Sequence, residues 1–150
     1  MRATDLLRKQ HRELETLLKE MLHSESSRAR RALLHELSAR LEVHTRIEEE
    51  IFYPALRTEA GGREVELMVL EAYEEHHVVD LVLRDLGRAD TAAASFEAKL
   101  TVFKELVEHH VEEEEQEMFP LAERRLGARR LAELGLRMLE KAEASGASGY

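Results

Sequence analysis

One short segment occurs twice in this chain, and it restricts the folds that the chain can adopt. Each copy begins with a histidine, has a glutamate four residues later and reaches a proline ten residues after the histidine. These residues are His44, Glu48 and Pro54 in the first copy and His110, Glu114 and Pro120 in the second. Residues four apart lie on one face of an α-helix, so each copy directs an imidazole and a carboxylate to the same side. The repeat predicts helices that carry metal-ligand side chains into the core of a bundle.

Composition agrees with an all-α fold. The 150 residues are 43% hydrophobic and 35% charged, with only 7 glycines and 2 prolines, which is typical of long amphipathic helices. The alternating runs of Val, Ile and aromatic residues that indicate strands are missing from the sequence. Apolar stripes predict helices over about residues 4–23, 28–60, 63–86 and 92–126, with a short final helix over about 127–141. Both prolines are predicted to kink or interrupt their helices, because proline lacks the backbone donor.

The predicted helices are joined by short turns. This favours an antiparallel up-down-up-down four-helix bundle with a short extra C-terminal helix. A chain of this length is expected to form one domain, which we assign to residues 1–143. The small and polar residues 144–150 are assigned to a flexible C-terminal tail.

Several classes of function are disfavoured. The chain has no cysteine, which excludes disulfides, thiolate metal sites and thiol catalysis. No apolar run approaches about 18 residues, and the N-terminus leads into a helix without the apolar core of a signal peptide. The net charge of -9 argues against nucleic acid as a partner. We therefore expect a cytoplasmic protein that binds neither nucleic acid nor membrane.

Helical periodicity separates the histidines that face the core from those that do not. Apolar residues recur at helical spacing beside four of them, which are His11, His44, His76 and His110. The stripes beside His77 and His109 are weaker, so these two are predicted to lie on flanks or at the surface. Glu48 and Glu114 share the inward stripes. Glu49 and Glu113 lie off them, and the acidic run 112–115 is predicted to be solvated apart from Glu114.

The inward residues together favour a metal site. A single His-x-x-x-Glu has little weight, because a solvated helical pair explains it, and a single buried histidine is usually a satisfied core residue. Burying four histidines and two glutamates without compensation would cost several kcal/mol for each group. Imidazole and carboxylate ligands suit iron or manganese. We predict six metal ligands: His11, His44, Glu48, His76, His110 and Glu114.

The order and spacing of these residues, H…HxxxE…H…HxxxE, resembles the hemerythrin-like family, also called the HHE cation-binding domain. The resemblance covers about residues 4–126. It implies a four-helix bundle around a non-haem di-iron centre, with two iron ions (Fe²⁺/Fe³⁺) joined by carboxylates and an oxo or hydroxo bridge. It also implies a small ligand, which is dioxygen, peroxide or nitric oxide, and it leaves a redox partner open.

The chain departs from the oxygen-carrying members of that family. Those proteins have a second histidine four residues from the first on the third helix, and an aspartate five residues after the last histidine. Here Ala72 and Asp80 flank His76 at that distance, and the last carboxylate is Glu114, with Glu115 as an outside candidate. A site poorer in histidine leaves room for a fifth ligand. The candidates are Tyr53, Tyr73, Asp80 and water.

Three classes of function remain open. The leading hypothesis is a di-iron protein that binds and turns over a small oxidant, with catalase-like or peroxidase-like activity as its enzymatic form. The second is an iron-binding, iron-sensing or oxygen-sensing module without turnover. The third is a structural helical adaptor with solvent-facing histidines. Metal content separates the third from the others, and peroxide consumption separates the first from the second.

Overall fold

The computed structural model describes residues 1–146, and in this range the chain is helical and contains no strand. Four residues of the predicted tail, 147–150, lie outside the described residues. The α-helices are α1 (Ala3–His23), α2 (Ser27–Ile47), α3 (Tyr53–Glu59), α4 (Arg63–Arg88), α5 (Ala94–Glu113) and α6 (Phe119–Ala144). Two π-helical turns, π1 (Glu48–Phe52) and π2 (Glu114–Met118), join α2 to α3 and α5 to α6. No helix in the described range is long and apolar enough to span a membrane.

The helices form the predicted antiparallel four-helix bundle. Short connections at 24–26 and 89–93 return the chain beside the preceding helix, so α1 packs on α2 and α4 packs on α5. Ser26 caps α2 by accepting a hydrogen bond from the backbone N–H of Ala29 at 3.2 Å. Gly127, with φ 81°, interrupts α6, and the residues beyond it form the predicted additional C-terminal helix.

The two prolines lie just after the point where the helical register changes. Pro54 and Pro120 occupy the first turns of α3 and α6, positions that proline tolerates. The backbone N–H of Tyr53 donates to the carbonyl of Glu48, five residues back, and Phe119 donates to Glu114 in the same way. In both α2 and α5 the α-helical register therefore stops just before the repeated glutamate, which begins a π-turn. Such π-turns are frequent at functional sites.

Tyr73 compensates for the donor that Pro54 lacks. Continuing the π register would pair the amide of residue 54 with the carbonyl of Glu49, but proline has no N–H to donate. The Tyr73 hydroxyl donates to that carbonyl oxygen at 3.0 Å. This hydrogen bond ties α4 to π1.

A polar layer divides the core into two apolar clusters. Along α1, Leu7 belongs to one cluster and Leu14 to the other, with buried His11 between them. Along α4, His76 lies between Ala72 and Val79 in the same manner. Apolar side chains therefore close the layer on both sides, which keeps water away from its charges.

The C-terminal helix packs on the start of the chain through Gly135. A Cβ atom at Gly135 would lie 2.1 Å from the carbonyl oxygen of Met1 and 2.9 Å from the backbone nitrogen of Ala3. Glycine is required here because two stretches of backbone approach each other closely.

We expect Gly135→Ala to lower the free energy of unfolding by about 1–3 kcal/mol, the usual effect of overpacking a core. Urea unfolding followed by circular dichroism measures this change. The control is Gly87→Ala in α4, where a Cβ would meet nothing within 4 Å. That variant should gain up to about 1 kcal/mol, because alanine favours helix. Equal stability of the two variants would contradict the packing described for the C-terminal helix.

Candidate metal centre

The structure brings together all six residues that the sequence predicts as ligands. Each is buried, with at most 8% of its surface exposed. His11 and His44 define one half of the layer, which we call the α1–α2 position. His76 and His110 define the other half, the α4–α5 position. Glu48 lies within ligand distance of both halves.

The two glutamates connect these halves. Glu48 Oε1 lies 3.3 Å from His44 Nε2 and 3.1 Å from His76 Nε2. Glu114 Oε1 lies 3.1 Å from His11 Nε2 and 3.3 Å from His110 Nε2. Each carboxylate thus faces one imidazole from each position. This arrangement is suited to carboxylates shared between two cations.

All four imidazoles have the same orientation, with Nε2 inward and Nδ1 directed to an acceptor outside the layer. The acceptors and their distances from Nδ1 are Glu115 for His11 (2.6 Å), Gln10 for His44 (2.7 Å), Glu49 for His76 (2.6 Å) and Glu75 for His110 (2.7 Å). Carboxylate and amide oxygens only accept, so each ring donates its Nδ1–H. A neutral ring then presents the Nε2 lone pair to the centre, as a metal-ligating histidine does.

The inward-facing atoms lack suitable partners of their own. Neither carboxylate oxygen of Glu48 accepts a hydrogen bond of good geometry, although both are buried. His76 Nε2 faces His110 Nε2 at 3.1 Å, and two lone pairs at that distance repel each other. A cation between these atoms satisfies the carboxylate and removes the repulsion. The residues present therefore fit a metal site.

Without metal, protons take the place of the cations. Burial lowers the pKa of His11, but hydrogen bonds to Glu114 and Glu115 outweigh it and raise the pKa to about 9. Burial likewise lowers the pKa of His76, and Glu48 and Glu49 raise it to about 9. Burial raises the pKa of Glu114, but His110 and His11 hold it well below the usual range. The layer is thus a set of buried ion pairs.

Glu49 and Glu115 lie closer to the layer than their positions off the inward α-helical stripes predict, although neither joins the groups of candidate ligand atoms. Glu49 contacts His76 Nδ1 and Glu115 contacts His11 Nδ1. The π-turn supplies the physical reason. It holds one more residue than an α-helical turn, so Glu48 and Glu49 both face His76 although an α-helical stripe includes only Glu48.

Other residues agree with their predicted places or were not predicted at all. Glu113 pairs with exposed His109 at 2.9 Å and lies away from the inward-facing atoms. Gln10 and Glu75 were missed. Each directly precedes an isolated histidine, but the two differ in residue type, so the repeat does not reveal them.

Tyr53 is the only tyrosine or aspartate among the proposed fifth ligands that reaches the layer. Its buried hydroxyl donates to Glu114 Oε2 at 2.6 Å and lies 3.3 Å from His76 Nε2. Burial and the nearby Glu114 and Glu48 raise the pKa of Tyr53 well above 10, so the phenol keeps its proton in the metal-free protein. The Tyr73 hydroxyl is bonded to a backbone carbonyl. Asp80 forms an ion pair with Arg84 at 3.0 Å.

Access to the layer differs between its halves. A groove of about 880 Å³ reaches His76 and is bordered by Thr45, Glu49, Tyr73, Val79 and Asp80. On the other side, His11 is fully buried and stacks on Phe119 at a ring-centroid distance of 5.7 Å. The groove runs between α2 and α4, so a small molecule in it meets the layer at His76.

Comparison with known proteins identifies the family. The model of the hemerythrin HHE cation-binding domain matches residues 2–122. The uncharacterized proteins Rv2633c of Mycobacterium tuberculosis and Mb2666c of Mycobacterium bovis are each 31% identical over 121 residues, covering 80% of this chain and 71% of the relative. A crystal structure of an HHE domain protein from Mycobacterium kansasii, an Rv2633c homolog, is 30% identical with a TM-score of 0.86, covering 99% of this chain and 89% of that one. Sequence and fold agree, and the chain belongs to the hemerythrin HHE cation-binding domain family.

Proposed function

We propose that this protein holds two iron ions side by side in the polar layer and uses them to bind and turn over a small oxidant, with peroxide as the preferred substrate. His11 and His44 would hold one ion, and His76 and His110 the other. Glu48 and Glu114 would be shared between them. The observation that carries the proposal is the placement of each buried carboxylate between imidazoles of both positions.

The set of donors favours iron and leaves room for a ligand. Imidazole and carboxylate suit iron or manganese, and the chain has no thiolate to favour Cu(I). Four imidazoles and two carboxylates provide fewer donors than two six-coordinate ions need. When bound, the iron pair supplies redox chemistry and open coordination positions. Tyr53 is the candidate for a fifth protein ligand, because its hydroxyl lies beside Glu114 and His76.

Peroxide disproportionation suits this site better than reversible oxygen carriage. The two anionic carboxylates favour the ferric state, and the second histidine that oxygen carriers have on the third helix is replaced here by Ala72 or Asp80. One peroxide loses two electrons and two protons to become dioxygen, and a second peroxide gains them to become two waters. No external reductant is needed. Tyr53 Oη holds a proton beside the inward-facing ligand atoms and donates it to Glu114 Oε2.

We expect about two iron ions per chain in protein made with adequate iron. Glu48→Ala and Glu114→Ala should each lose iron, because each removes a carboxylate shared by both positions. Elemental analysis of the purified protein measures the iron content. The control is Glu113→Ala, which changes a glutamate bonded to exposed His109 and should keep its iron. A wild-type iron content near zero, or a site filled only by zinc, would contradict the proposal.

The metal-free protein should lose stability as the pH rises from about 6.5 to 9. His11 and His76 have pKa values raised from 6.5 to about 9 in the folded protein. Their protonation therefore contributes fully to the free energy of unfolding below pH 6.5, and this contribution is lost as the pH rises through the folded-state pKa. Iron replaces these protons, and the loaded protein should lose less. Thermal unfolding of both forms across this range measures the difference. Parallel pH profiles would show that the histidines do not exchange protons for metal.

Iron-loaded protein should release dioxygen from peroxide. His44→Ala removes an imidazole from the α1–α2 position and should abolish the release. Tyr53→Phe should slow it by about 10²-fold or more, the usual contribution of a positioned proton donor. An oxygen electrode records the rates. Equal rates in wild type and His44→Ala would mean that the site is not catalytic. A stable, reversible oxygen complex of the reduced protein would favour carriage or sensing instead.

A further inference from the structure

The polar layer has an approximate two-fold symmetry that relates the two halves of the chain. His11 corresponds to His76. The Nδ1 atom of His11 donates a hydrogen bond to Glu115, and that of His76 donates one to Glu49, both at 2.6 Å. Ring stacking follows the same relation. Phe119 stacks on His11 at 5.7 Å, and Tyr53 stacks on His76 at 5.5 Å.

The symmetry does not extend to the outer groups that accept hydrogen bonds from the two histidines of the repeated segment, His44 and His110. His44 Nδ1 donates to the amide oxygen of Gln10, whereas His110 Nδ1 donates to the carboxylate of Glu75, both at 2.7 Å. Gln10 is completely buried, and its side-chain nitrogen has no hydrogen-bond partner. The side chain of Glu75 is 27% exposed, so its carboxylate remains hydrated and charged.

This difference changes the donor strength of the two imidazoles. An anionic acceptor draws the Nδ1 proton more strongly than a neutral amide does, and it places more electron density on Nε2. His110 is therefore the stronger metal ligand and His44 the weaker. The Tyr53 hydroxyl and the groove between α2 and α4 both meet His76, which shares a metal position with His110.

We propose that Glu75 and Gln10 make the two metal positions unequal, with the α4–α5 position binding a divalent metal first and more tightly. This inference rests on the proposed function, because it requires two metal ions in the layer. Glu75 and Gln10 act as positioning residues through the histidines that they orient. The α1–α2 position fills second and remains the enclosed partner of the reactive, accessible position.

Stepwise binding of Co²⁺ to the metal-free protein tests the proposal. Calorimetry of the wild-type protein should show two binding steps of different affinity. Glu75→Gln should weaken the tighter step by about 10- to 100-fold, the usual effect of removing such an outer partner, and leave the weaker step nearly unchanged. Gln10→Glu should strengthen the weaker step, so both variants should bring the two affinities together. Glu74→Gln, a change of an exposed neighbour on the same helix, should leave both steps as in the wild type.

The outcomes separate this inference from the proposed function. If the wild type binds no Co²⁺, the proposed metal pair itself fails. If it binds two ions with equal affinity, or if Glu75→Gln weakens both steps equally, the metal pair stands and the inequality is overturned. If Glu75→Gln does not fold, the Gln10→Glu variant tests the proposal by itself. A Co²⁺ affinity of the weaker step that is unchanged in this variant overturns the proposal.

Discussion

The burial of two carboxylates at the centre of the bundle is the constraint on which the rest of the structure depends. Glu48 and Glu114 are almost completely buried between two apolar clusters, where a lone charge would be very costly. Four imidazoles direct Nε2 at them, and four outer acceptors hold the imidazoles in that orientation. Protons on His11, His76 and His110 compensate the charge in the metal-free protein. Under our proposal, two iron ions take over that role.

The π-turns bring two consecutive glutamates to bear on one histidine of such a centre. An α-helix presents only one residue of each turn to a given layer, whereas a π-turn has room for one more. Glu48 therefore reaches the inner nitrogen of His76 while Glu49 reaches its outer nitrogen. Glu114 and Glu115 do the same for His11. One local change in backbone geometry thus supplies both an inner carboxylate and the outer group that orients a histidine across the bundle.

The features predictable from sequence are those that repeat with the α-helical period. Apolar stripes located the helices, and they separated His76 and His110 from the exposed His77 and His109. The roles of Glu49 and Glu115 were missed because they depend on a register change that α-helical counting does not include. In the sequence, the repeated prolines were the only sign of this register change. They predicted that the helices are interrupted, but not that the interruption is a π-turn. Contacts such as Gln10 with His44 join different helices, and periodicity within one helix holds no information on them.

The most direct test of the central claim is a crystal structure of the iron-loaded protein with anomalous scattering measured at the iron absorption edge. We predict two iron peaks in each chain, one within roughly 2.0–2.3 Å of Nε2 of His11 and His44 and the other at the same distance from His76 and His110. A single peak would contradict a di-iron centre. Iron found only at the cluster of Glu75, His109 and Glu113 near the surface, with none between the buried glutamates, would contradict the account as a whole.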